Sequence, residues 1–371
     1  MENHSIITDR KASSASCHHT DAGKKEGEEK KWIALTGQPN VGKSLLFNRL
    51  TGSRAAVSNY PGTTVAVDKG QITLGTEKYG IWDLPGMYSL LPITEEERVA
   101  KLALLEEKPS YILHVVDAKN LTRMLPLAME LSETGLKVIL VVNMMDEAEK
   151  EGIKIDFQKL SKEIGIPVVP TVAVNGKGMN QVLYHILNYE RKNHHEVIPF
   201  DESIESSLLE IKDSLSMDYS IHQRSIAQLL LQKDEDMHAW VKKKEQENYN
   251  SITSIIEKTE EKLQESLVYL MKIKIHEEAK RIAQAVTTIE KKKRINIGEK
   301  LNQLMTRPIT GIPILLLVLY FVLYKFVGVF GAGTVVDFVE GKLFGEYINS
   351  AIVNAVENLV SIEALRQLII G

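Results

Sequence analysis

A short stretch near the N-terminal end of the chain has the residue types that can hold a phosphate group. Residues 37–44 read Gly-Gln-Pro-Asn-Val-Gly-Lys-Ser, a spacing in which glycines let backbone N–H groups turn inward around phosphate oxygens. In such a loop Lys43 is expected to bridge the β- and γ-phosphates of a nucleotide, and the Ser44 hydroxyl is expected to bind Mg²⁺. The predicted phosphate-binding residues of this loop are Gly37, Asn40, Val41, Gly42, Lys43, Ser44 and Leu45.

A second motif, Asp83-Leu84-Pro85-Gly86, follows a strand-like run forty residues after Lys43. An aspartate at a strand end can hold Mg²⁺ through water, and the Gly86 N–H can reach the γ-phosphate. By itself this pattern is ordinarily a turn. Downstream of a phosphate loop, and in this order, it indicates the second segment that contacts the phosphates.

A third motif, Asn143-Met144-Met145-Asp146, follows the apolar run that ends at Val142. The Asp146 carboxylate can accept hydrogen bonds from both the ring N–H and the exocyclic amine of guanine. Adenine would leave that carboxylate unpaired, and sites of this kind discriminate by about 10⁴. Although a polar loop is the plain alternative, the position of this motif after the other two predicts guanine recognition.

These three motifs together form the signature of a GTPase of the Ras-like superfamily. Within that superfamily the chain resembles the ferrous iron transport protein B (FeoB) family. The features that carry the resemblance are Leu46-Phe47-Asn48 after the loop, Asn-Tyr-Pro-Gly-Thr-Thr-Val at 59–65, Tyr88-Ser89-Leu90 after Gly86, and a G domain followed by a helical domain and an apolar span near Pro308.

By this resemblance, two segments are switches that respond to the bound nucleotide. Thr64 is implied to complete the Mg²⁺ shell with Ser44 and Asp83 when GTP is bound, and Thr63 is the competing choice. The implied switch residues are Tyr60, Gly62, Thr63, Thr64, Asp83, Leu84, Pro85 and Gly86.

The resemblance also implies a K⁺ ion beside the phosphates, held by Asn40. A cation there would neutralise the charge that develops between the β- and γ-phosphates, as an arginine finger does in other systems. The alternative for Asn40 is a turn residue that stabilises its own loop.

Met87 follows Gly86, at the position where Ras-like enzymes place a glutamine that orients the attacking water. Methionine cannot orient water, and the FeoB family commonly has threonine here. We therefore expect slow hydrolysis that depends on the cation and on backbone groups. The loop that contacts the base is similar to the family's at Thr171-Val172-Ala173, although Val172 stands where serine is commoner. The Ala173 N–H is the expected partner of guanine O6.

Short apolar runs alternate with helical patterns between residues 32 and 189. The runs are Trp32–Thr36, Tyr79–Trp82, Tyr111–Val116, Lys137–Val142 and one that begins at Val168. Continuous β-branched runs separated by helices predict a parallel sheet buried on both faces. His114 lies in one run and is expected to be a core histidine. The predicted fold is α/β, a Ras-like P-loop GTPase domain with a mainly parallel sheet.

Residues 203–290 contain no glycine and no proline, and apolar residues recur at helical spacing, as at Ile204, Leu208 and Ile211. This pattern predicts an all-α domain whose charged residues form a solvated face. By resemblance it is the family's domain that slows GDP release.

The 371 residues are enough for two or three domains, and the composition is that of an ordinary globular chain. A net charge of −4 gives no reason to expect nucleic acid as a partner. A single cysteine excludes a disulfide framework and a four-cysteine metal site. Residues 1–30 are polar and are expected to form a disordered tail. Cys17-His18-His19 within it is a weak metal candidate, because adjacent ligands cannot close a tetrahedral site alone.

Residues 309–330 form an apolar run of 22 residues with one charge, Lys325. A helix of this length crosses a bilayer core of about 30 Å. Basic residues at 291–294 and Arg307 place its N-terminal side in the cytoplasm by the positive-inside rule. Lys325 can extend to the far interface, and a role in an ion pathway is the weaker alternative. Residues 331–371 are amphipathic and are expected to be extracytoplasmic or interfacial.

We therefore expect a GTPase that hydrolyses GTP to GDP and phosphate, slowly and with K⁺ stimulation, and that uses Mg²⁺. It is expected to be the membrane-anchored regulatory part of a ferrous iron uptake transporter in the cell inner (plasma) membrane, with cytoplasmic G and helical domains. The expected partners are GTP or GDP, membrane lipid and the remainder of an iron permease, from the same gene or a split polypeptide, and no nucleic acid. The family's membrane region has many spans, so this chain is not expected to move iron alone.

The predicted domains are a tail at 1–30, the G domain at 31–190, a helical GDP-dissociation-inhibitor-like domain at 196–290, a basic cytoplasmic linker at 291–308, a transmembrane helix at 309–330 and the segment 331–371. One alternative is a GTP-dependent membrane adaptor that does not itself transport iron. Another is a soluble ribosome-assembly GTPase, which would need an RNA-binding domain that the helical region does not resemble.

Overall fold

The structure, a computed structural model, describes residues 31–52, 56–189, 197–290 and 297–359. The predicted tail with its Cys17-His18-His19 group, the basic run 291–294 and residues 360–371 lie outside the described residues. The described residues form two compact units, one before and one after residues 291–296.

The first unit contains a sheet buried between helices. Its strands are β1 (Trp32–Gly37), β2 (Ala56–Asn59), β3 (Ala66–Leu74), β4 (Glu77–Asp83), β5 (Tyr111–Asp117), β6 (Val138–Asn143), β7 (Ile153–Ile155), β8 (Val168–Pro170) and β9 (Thr287–Ile289). One sheet has the order β2-β3-β4-β1-β5-β6-β8, and β7 and β9 form a separate antiparallel ribbon. Because β1, β4, β5, β6 and β8 pair in parallel, the predicted mainly parallel sheet is confirmed.

Helices connect these strands and continue beyond them. They are α1 (Lys43–Thr51), α2 (Glu95–Leu105), α3 (Leu121–Glu133), α4 (Met145–Glu151), α5 (Phe157–Ile164), α6 (Met179–Leu187), α7 (Glu202–Ser214), α8 (Gln223–Leu231), α9 (Glu235–Glu245), α10 (Asn248–Leu263) and α11 (Leu267–Val286). A short 3₁₀ turn at Ala118–Asn120 precedes α3.

The central strands are buried because their sequences are mostly apolar. Every residue of β1 and β6 is buried. The antiparallel strands β2 and β3 were not predicted, because polar residues such as Asp68, Lys69 and Gln71 interrupt their alternation. Their pairing sets Asp68 opposite Asp83 at the end of β4.

His114 on β5 is 1% exposed, as expected for a core histidine. Burial lowers the pKa of its imidazole to about 4, so the ring is neutral at pH 7.

The helical domain consists of α7 to α11, and α11 packs along α3 of the G domain. The all-α prediction needs one correction, because Thr287–Ile289 form β9. These three residues are β-branched and pair with β7, with Ile153 opposite Ile289. Glu290 N–H donates to Gly152 O at 2.9 Å and Asp156 N–H donates to Val286 O at 2.8 Å, so the ribbon ties the end of α11 to the G domain.

The second unit is helical. It comprises α12 (Ile297–Thr306), α13 (Pro308–Val318), π-helical stretches at Leu319–Val335 and Phe338–Ile348, and α14 (Asn349–Leu359). Pro308–Ala355 is long and apolar enough to cross a membrane. The most apolar stretch of this helix has no buried residues in the structure. At 48 residues it exceeds the roughly 20 that a bilayer core requires. The helix therefore continues beyond the predicted end at Phe330.

Candidate functional site

The predicted phosphate loop joins the end of β1 to the start of α1. A β-carbon on Gly37 would lie 2.4 Å from the Val115 carbonyl oxygen. One on Gly42, whose φ is +84°, would lie 2.4 Å from Asn143 Nδ2. Glycine at these two positions therefore lets the loop approach the carboxyl ends of β5 and β6.

Lys43, Ser44 and Asp83 meet at the carboxyl edge of the sheet. The Lys43 ammonium donates to one Asp83 carboxylate oxygen and, at 2.6 Å, to the Leu84 carbonyl. The Ser44 hydroxyl donates to the other Asp83 oxygen at 2.9 Å. Parallel pairing of β1 with β4, which sets Leu35 opposite Asp83, brings the second motif beside the first.

A cavity of about 410 Å³ lies beside this group, and Lys43, Thr64 and Asp83 are among the residues that line it. Hydroxyl and carboxylate oxygens are the ligands that Mg²⁺ prefers, so Ser44, Asp83 and Thr64 form a donor set that fits this ion. The Thr63 hydroxyl instead donates to the Tyr60 carbonyl at 3.1 Å. Of the two threonines, Thr64 is therefore the one whose position favours a metal role.

The predicted first switch makes a tight turn before β3. Tyr60 N–H donates to Val65 O at 2.9 Å, and Thr63 N–H donates to Tyr60 O at 3.0 Å. Gly62 within the turn has a φ of +78°, which suits glycine. Burial of the Tyr60 ring, helped by the Glu107 carboxylate, raises the pKa of its phenol to about 12.

The predicted second switch lies against the predicted phosphate loop. A β-carbon on Gly86 would lie 3.0 Å from the Pro39 ring, and Pro85 lines the cavity. Met87 N–H donates to Gly37 O at 3.2 Å, and the Met87 side chain is fully buried. The residue after Gly86 is thus a core residue that does not face the nucleotide cavity.

Sequence reasoning missed Glu97, a buried carboxylate that holds this switch from α2. Glu97 accepts hydrogen bonds from the backbone N–H groups of Tyr88 at 3.2 Å, Ile93 at 2.7 Å and Thr94 at 3.3 Å. Thr94 and Glu97 also form a capping box at the start of α2. The T-x-x-E pattern that precedes an apolar run was the available signal.

Two more buried carboxylates lie one turn apart on α3. Glu130 accepts the Leu90 N–H at 2.7 Å, and burial raises the pKa of Glu130 to about 7. Glu133 accepts the N–H groups of Val197 and Ile198, each at 2.7 Å, at the entry to the helical domain. Burial raises the pKa of Glu133 as well. Acidic residues on the apolar face of a helix were the sequence signal for this pair.

A buried ion cluster joins α2 to the helical domain. Lys101 donates to both Asp234 carboxylate oxygens, at 2.9 and 2.8 Å, and to Asp236 at 2.6 Å. Lys101 and Asp234 are 1% and 2% exposed. Arg98 completes the cluster by donating to Asp236 at 2.8 Å. The two helices that flank the second switch, α2 and α3, therefore both bind the helical domain.

The predicted guanine site lies at the ends of β6 and β8. Asn143 Nδ2 donates to the Val41 carbonyl of the phosphate loop at 3.0 Å, and its Oδ1 accepts the Thr171 hydroxyl at 3.2 Å. Asp146 in the first turn of α4 keeps 43% of its side chain exposed, so its carboxylate is accessible to a base. The structure thus brings the third motif and the phosphate loop together.

The Ala173 N–H is the predicted partner of guanine O6. It donates to Asn143 Oδ1 at 2.9 Å, so it already has a partner other than guanine O6. The Val172 N–H donates to Lys177 O at 3.0 Å. Both bonds arise because the loop folds back on Asn143 and on itself.

Asn40 has a left-handed backbone conformation with a φ of +66°, which asparagine adopts in turns more readily than most residues do. Its side chain is exposed and makes no hydrogen bond within the described part of the chain. The geometry therefore leaves both predicted roles of Asn40 available. Of the other predicted phosphate contacts, Val41 is buried and Leu45 is 38% exposed.

Comparisons with known proteins agree with this architecture. The sequence profile described as "Ferrous iron transport protein B" matches residues 31–186, and the one described as "FeoB cytosolic helical domain" matches residues 200–304. The second match extends past the predicted domain end at Glu290 and includes most of α12.

Curated relatives match a little over half of the chain. A Fe(2+) transport protein A/Fe(2+) transporter FeoB fusion protein of Porphyromonas gingivalis is 38% identical over 218 residues, which are 56% of this chain and 26% of the relative. The Fe(2+) transporter FeoB of Escherichia coli K12 is 35% identical over 196 residues, which are 52% of this chain and 25% of the relative. The match thus spans about a quarter of the length of these relatives.

Solved structures extend the comparison. A GDP-bound mutant of the S. thermophilus FeoB G-domain is 32% identical with a TM-score of 0.62, and the match covers 70% of this chain and 100% of that one. The cytosolic domain of the T. maritima FeoB iron transporter in apo form is 31% identical with a TM-score of 0.60, covering 70% and 99%. NFeoB from S. thermophilus bound to GDP·AlF₄⁻ and K⁺ is 34% identical with a TM-score of 0.60, covering 68% and 99%. The predicted resemblance is confirmed, and this chain belongs to the ferrous iron transport protein B (FeoB) family.

Proposed function

We propose that this chain binds GTP and hydrolyses it to GDP and phosphate. The observation that carries the proposal is the meeting of Lys43, Ser44 and Asp83 beside a cavity, with Asn143 hydrogen-bonded to the same loop. This arrangement supports a phosphate site and a guanine site at one edge of the sheet. The GDP-bound FeoB G-domain of S. thermophilus, 32% identical to this chain, supports the assignment.

Ser44, Asp83 and Thr64 are the residues that would hold Mg²⁺, and the ion would supply positive charge at the phosphate oxygens. Lys43 would bind the β- and γ-phosphates, for which it must leave the Asp83 carboxylate. Backbone N–H groups of the loop and of Gly86 would orient the phosphates. We propose that Tyr60–Thr64 and Asp83–Gly86 are the segments that respond to the nucleotide.

We further propose that hydrolysis is slow and stimulated by K⁺ at Asn40. Slow hydrolysis is supported by Met87, whose side chain is fully buried and cannot orient a water molecule. A K⁺ role is supported by the relative from S. thermophilus that was solved with GDP·AlF₄⁻ and K⁺.

GTP turnover in KCl and in NaCl tests the cation proposal. We expect turnover to be faster in KCl than in NaCl, and we expect Asn40→Ala to abolish the difference. Asn48→Ala, an exposed asparagine on α1, is the matched control and should retain the stimulation. Equal rates in the two salts would refute the proposal.

Nucleotide preference tests the guanine site. Asp146→Asn should shift preference from guanosine toward xanthosine nucleotides, because an amide can donate to the second carbonyl of xanthine where the carboxylate accepted from guanine. A variant that keeps the wild-type preference would contradict the assignment of Asp146.

We propose that the chain is a membrane-anchored regulatory part of a ferrous iron uptake system in the cell inner (plasma) membrane. The apolar helix Pro308–Ala355 and the names of the curated relatives support this. Its G and helical domains would be cytoplasmic, and its partner would be the remainder of an iron permease, from the same gene or a separate polypeptide.

Fractionation of wild-type cells, together with iron uptake in a strain that lacks the gene, separates this role from that of an adaptor. We expect the product in the membrane fraction and reduced uptake of Fe²⁺ in its absence. Normal uptake together with loss of another protein from the membrane would favour the adaptor. Recovery of the product in the soluble fraction would refute membrane anchoring.

A further inference from the structure

An arginine on the helix that follows the phosphate loop reaches the guanine loop. Arg49 lies in the last turn of α1 and is exposed. Its Nε donates to the Ala173 carbonyl at 3.2 Å, and its Nη2 donates to the Val174 carbonyl. The two acceptors are successive peptide carbonyls of the loop between β8 and α6.

These bonds close a ring of contacts around the nucleotide site. The Val41 carbonyl accepts from Asn143, Asn143 accepts from the Ala173 N–H, and the Ala173 carbonyl accepts from Arg49. Arg49 returns the ring to α1, whose first residue is Lys43. One nine-residue helix therefore carries a phosphate ligand at its start and holds the base loop at its end.

Peptide planarity gives this contact a directional consequence. In a trans peptide the carbonyl and the following N–H point in opposite directions. Because the Ala173 carbonyl points to Arg49, the Val174 N–H points away from Arg49. The neighbouring N–H groups are engaged, since Val172 donates to Lys177 O, Ala173 to Asn143 Oδ1 and Asn175 to Val172 O.

We infer that Arg49 is a positioning residue for base recognition, and that it orients the peptide between Ala173 and Val174 so that the Val174 N–H donates to guanine O6. This inference rests on the proposed binding of guanine nucleotides. It assigns the O6 contact to Val174 in place of Ala173, whose N–H is held by Asn143.

Two nucleotide analogues separate this role from a general loss of binding. In 6-thio-GDP, sulfur replaces O6 and weakens the hydrogen bond that the loop makes. IDP keeps O6 but lacks the 2-amino group, from which the Asp146 carboxylate would accept a hydrogen bond. For Arg49→Ala in the full chain we expect GDP affinity to fall roughly three- to tenfold, and the GDP to 6-thio-GDP affinity ratio to fall by a similar factor. The GDP to IDP ratio should stay within about twofold of wild type.

Arg281→Ala is the matched control, because Arg281 is an exposed arginine that binds Glu163 and Glu278 away from the loop. It should leave both ratios unchanged. Arg49→Lys keeps a cation but cannot make the bidentate contact with the two carbonyls. Its GDP to 6-thio-GDP affinity ratio should lie between those of the wild type and Arg49→Ala. An unchanged GDP to 6-thio-GDP ratio in Arg49→Ala would overturn the inference. Absence of GDP binding by the wild type would refute the proposed function instead.

Discussion

Lys101→Met is expected to weaken the attachment of the helical domain to the G domain. The Lys101 ammonium is 1% exposed and donates to Asp234 and Asp236 of α9. Methionine has a similar length and no charge. The substitution would therefore leave two carboxylates close together in a buried site without the cation that separates them.

The size of the effect follows from the surroundings of each carboxylate. Removing one partner of a buried ion pair costs about 3–5 kcal/mol. Asp236 keeps Arg98 at 2.8 Å, so we expect the lower end, about 3 kcal/mol of the free energy of unfolding. Adding Asp234→Asn removes the remaining uncompensated charge. The amide oxygen can still accept the Met237 N–H that caps α9, so the double variant should recover roughly half of the loss.

Urea unfolding of the full chain in detergent measures this prediction. Trp240 on α9 reports on the helical domain, and the stacked Trp32 and Trp82 rings, 4.4 Å apart, report on the G domain. Lys101→Met should unfold at lower urea concentration by both signals. The reasoning is refuted if its midpoint equals that of the wild type, or if the losses from Lys101→Met and Asp234→Asn simply add.

Three further substitutions test other buried features. Burial raises the pKa of Glu130 to about 7, so the wild type should lose stability as the pH rises from about 4.5 to 7. Glu130→Gln should lose less over this range, because only Glu133 then has a raised pKa on this face of α3, and it should be more stable than the wild type by up to about 3 kcal/mol at pH 8 in urea unfolding. Gly152→Ala should lower the melting temperature more than Gly75→Ala, because both have positive φ but only the first places a β-carbon 2.2 Å from the Glu290 carbonyl; equal losses would contradict this. Met87→Gln should cost about 1–3 kcal/mol without raising GTP turnover, because the amide would be buried away from the cavity, and a faster turnover would count against that placement.

Much of the nucleotide site could be predicted because each motif is local in sequence and lies at a strand end. Lys43, Asp83 and Asn143 each follow an apolar run, and parallel strands bring such ends to one edge. The strands β2 and β3 could not be predicted, because a mixed polar sequence at a sheet edge lacks a clear period. Their place depends on pairing with β4, which is a non-local contact.

The residues that hold the site in place were harder to foresee. Glu97, Glu130 and Glu133 are ordinary helical glutamates in sequence, and each acquires its role from backbone N–H groups brought to it by the fold. The Ala173 N–H was assigned to the base because the loop's approach to Asn143 is invisible in a linear sequence. Arg49 contacts a loop 124 residues away, and its spacing within α1 gave no indication of that contact.

The ribbon of β7 and β9 determines how the first unit responds to mechanical force. β9 is the last strand before residues 291–296, which lead in sequence to the apolar helix, so tension along that connection loads the ribbon first. The G domain carries part of this load through the Gly152–Glu290 hydrogen bond, and α11, which continues directly into β9, carries the rest. Gly152 caps the end of α4, and Asp146 lies in the first turn of that helix, so this path leads to the helix that carries the predicted guanine contact.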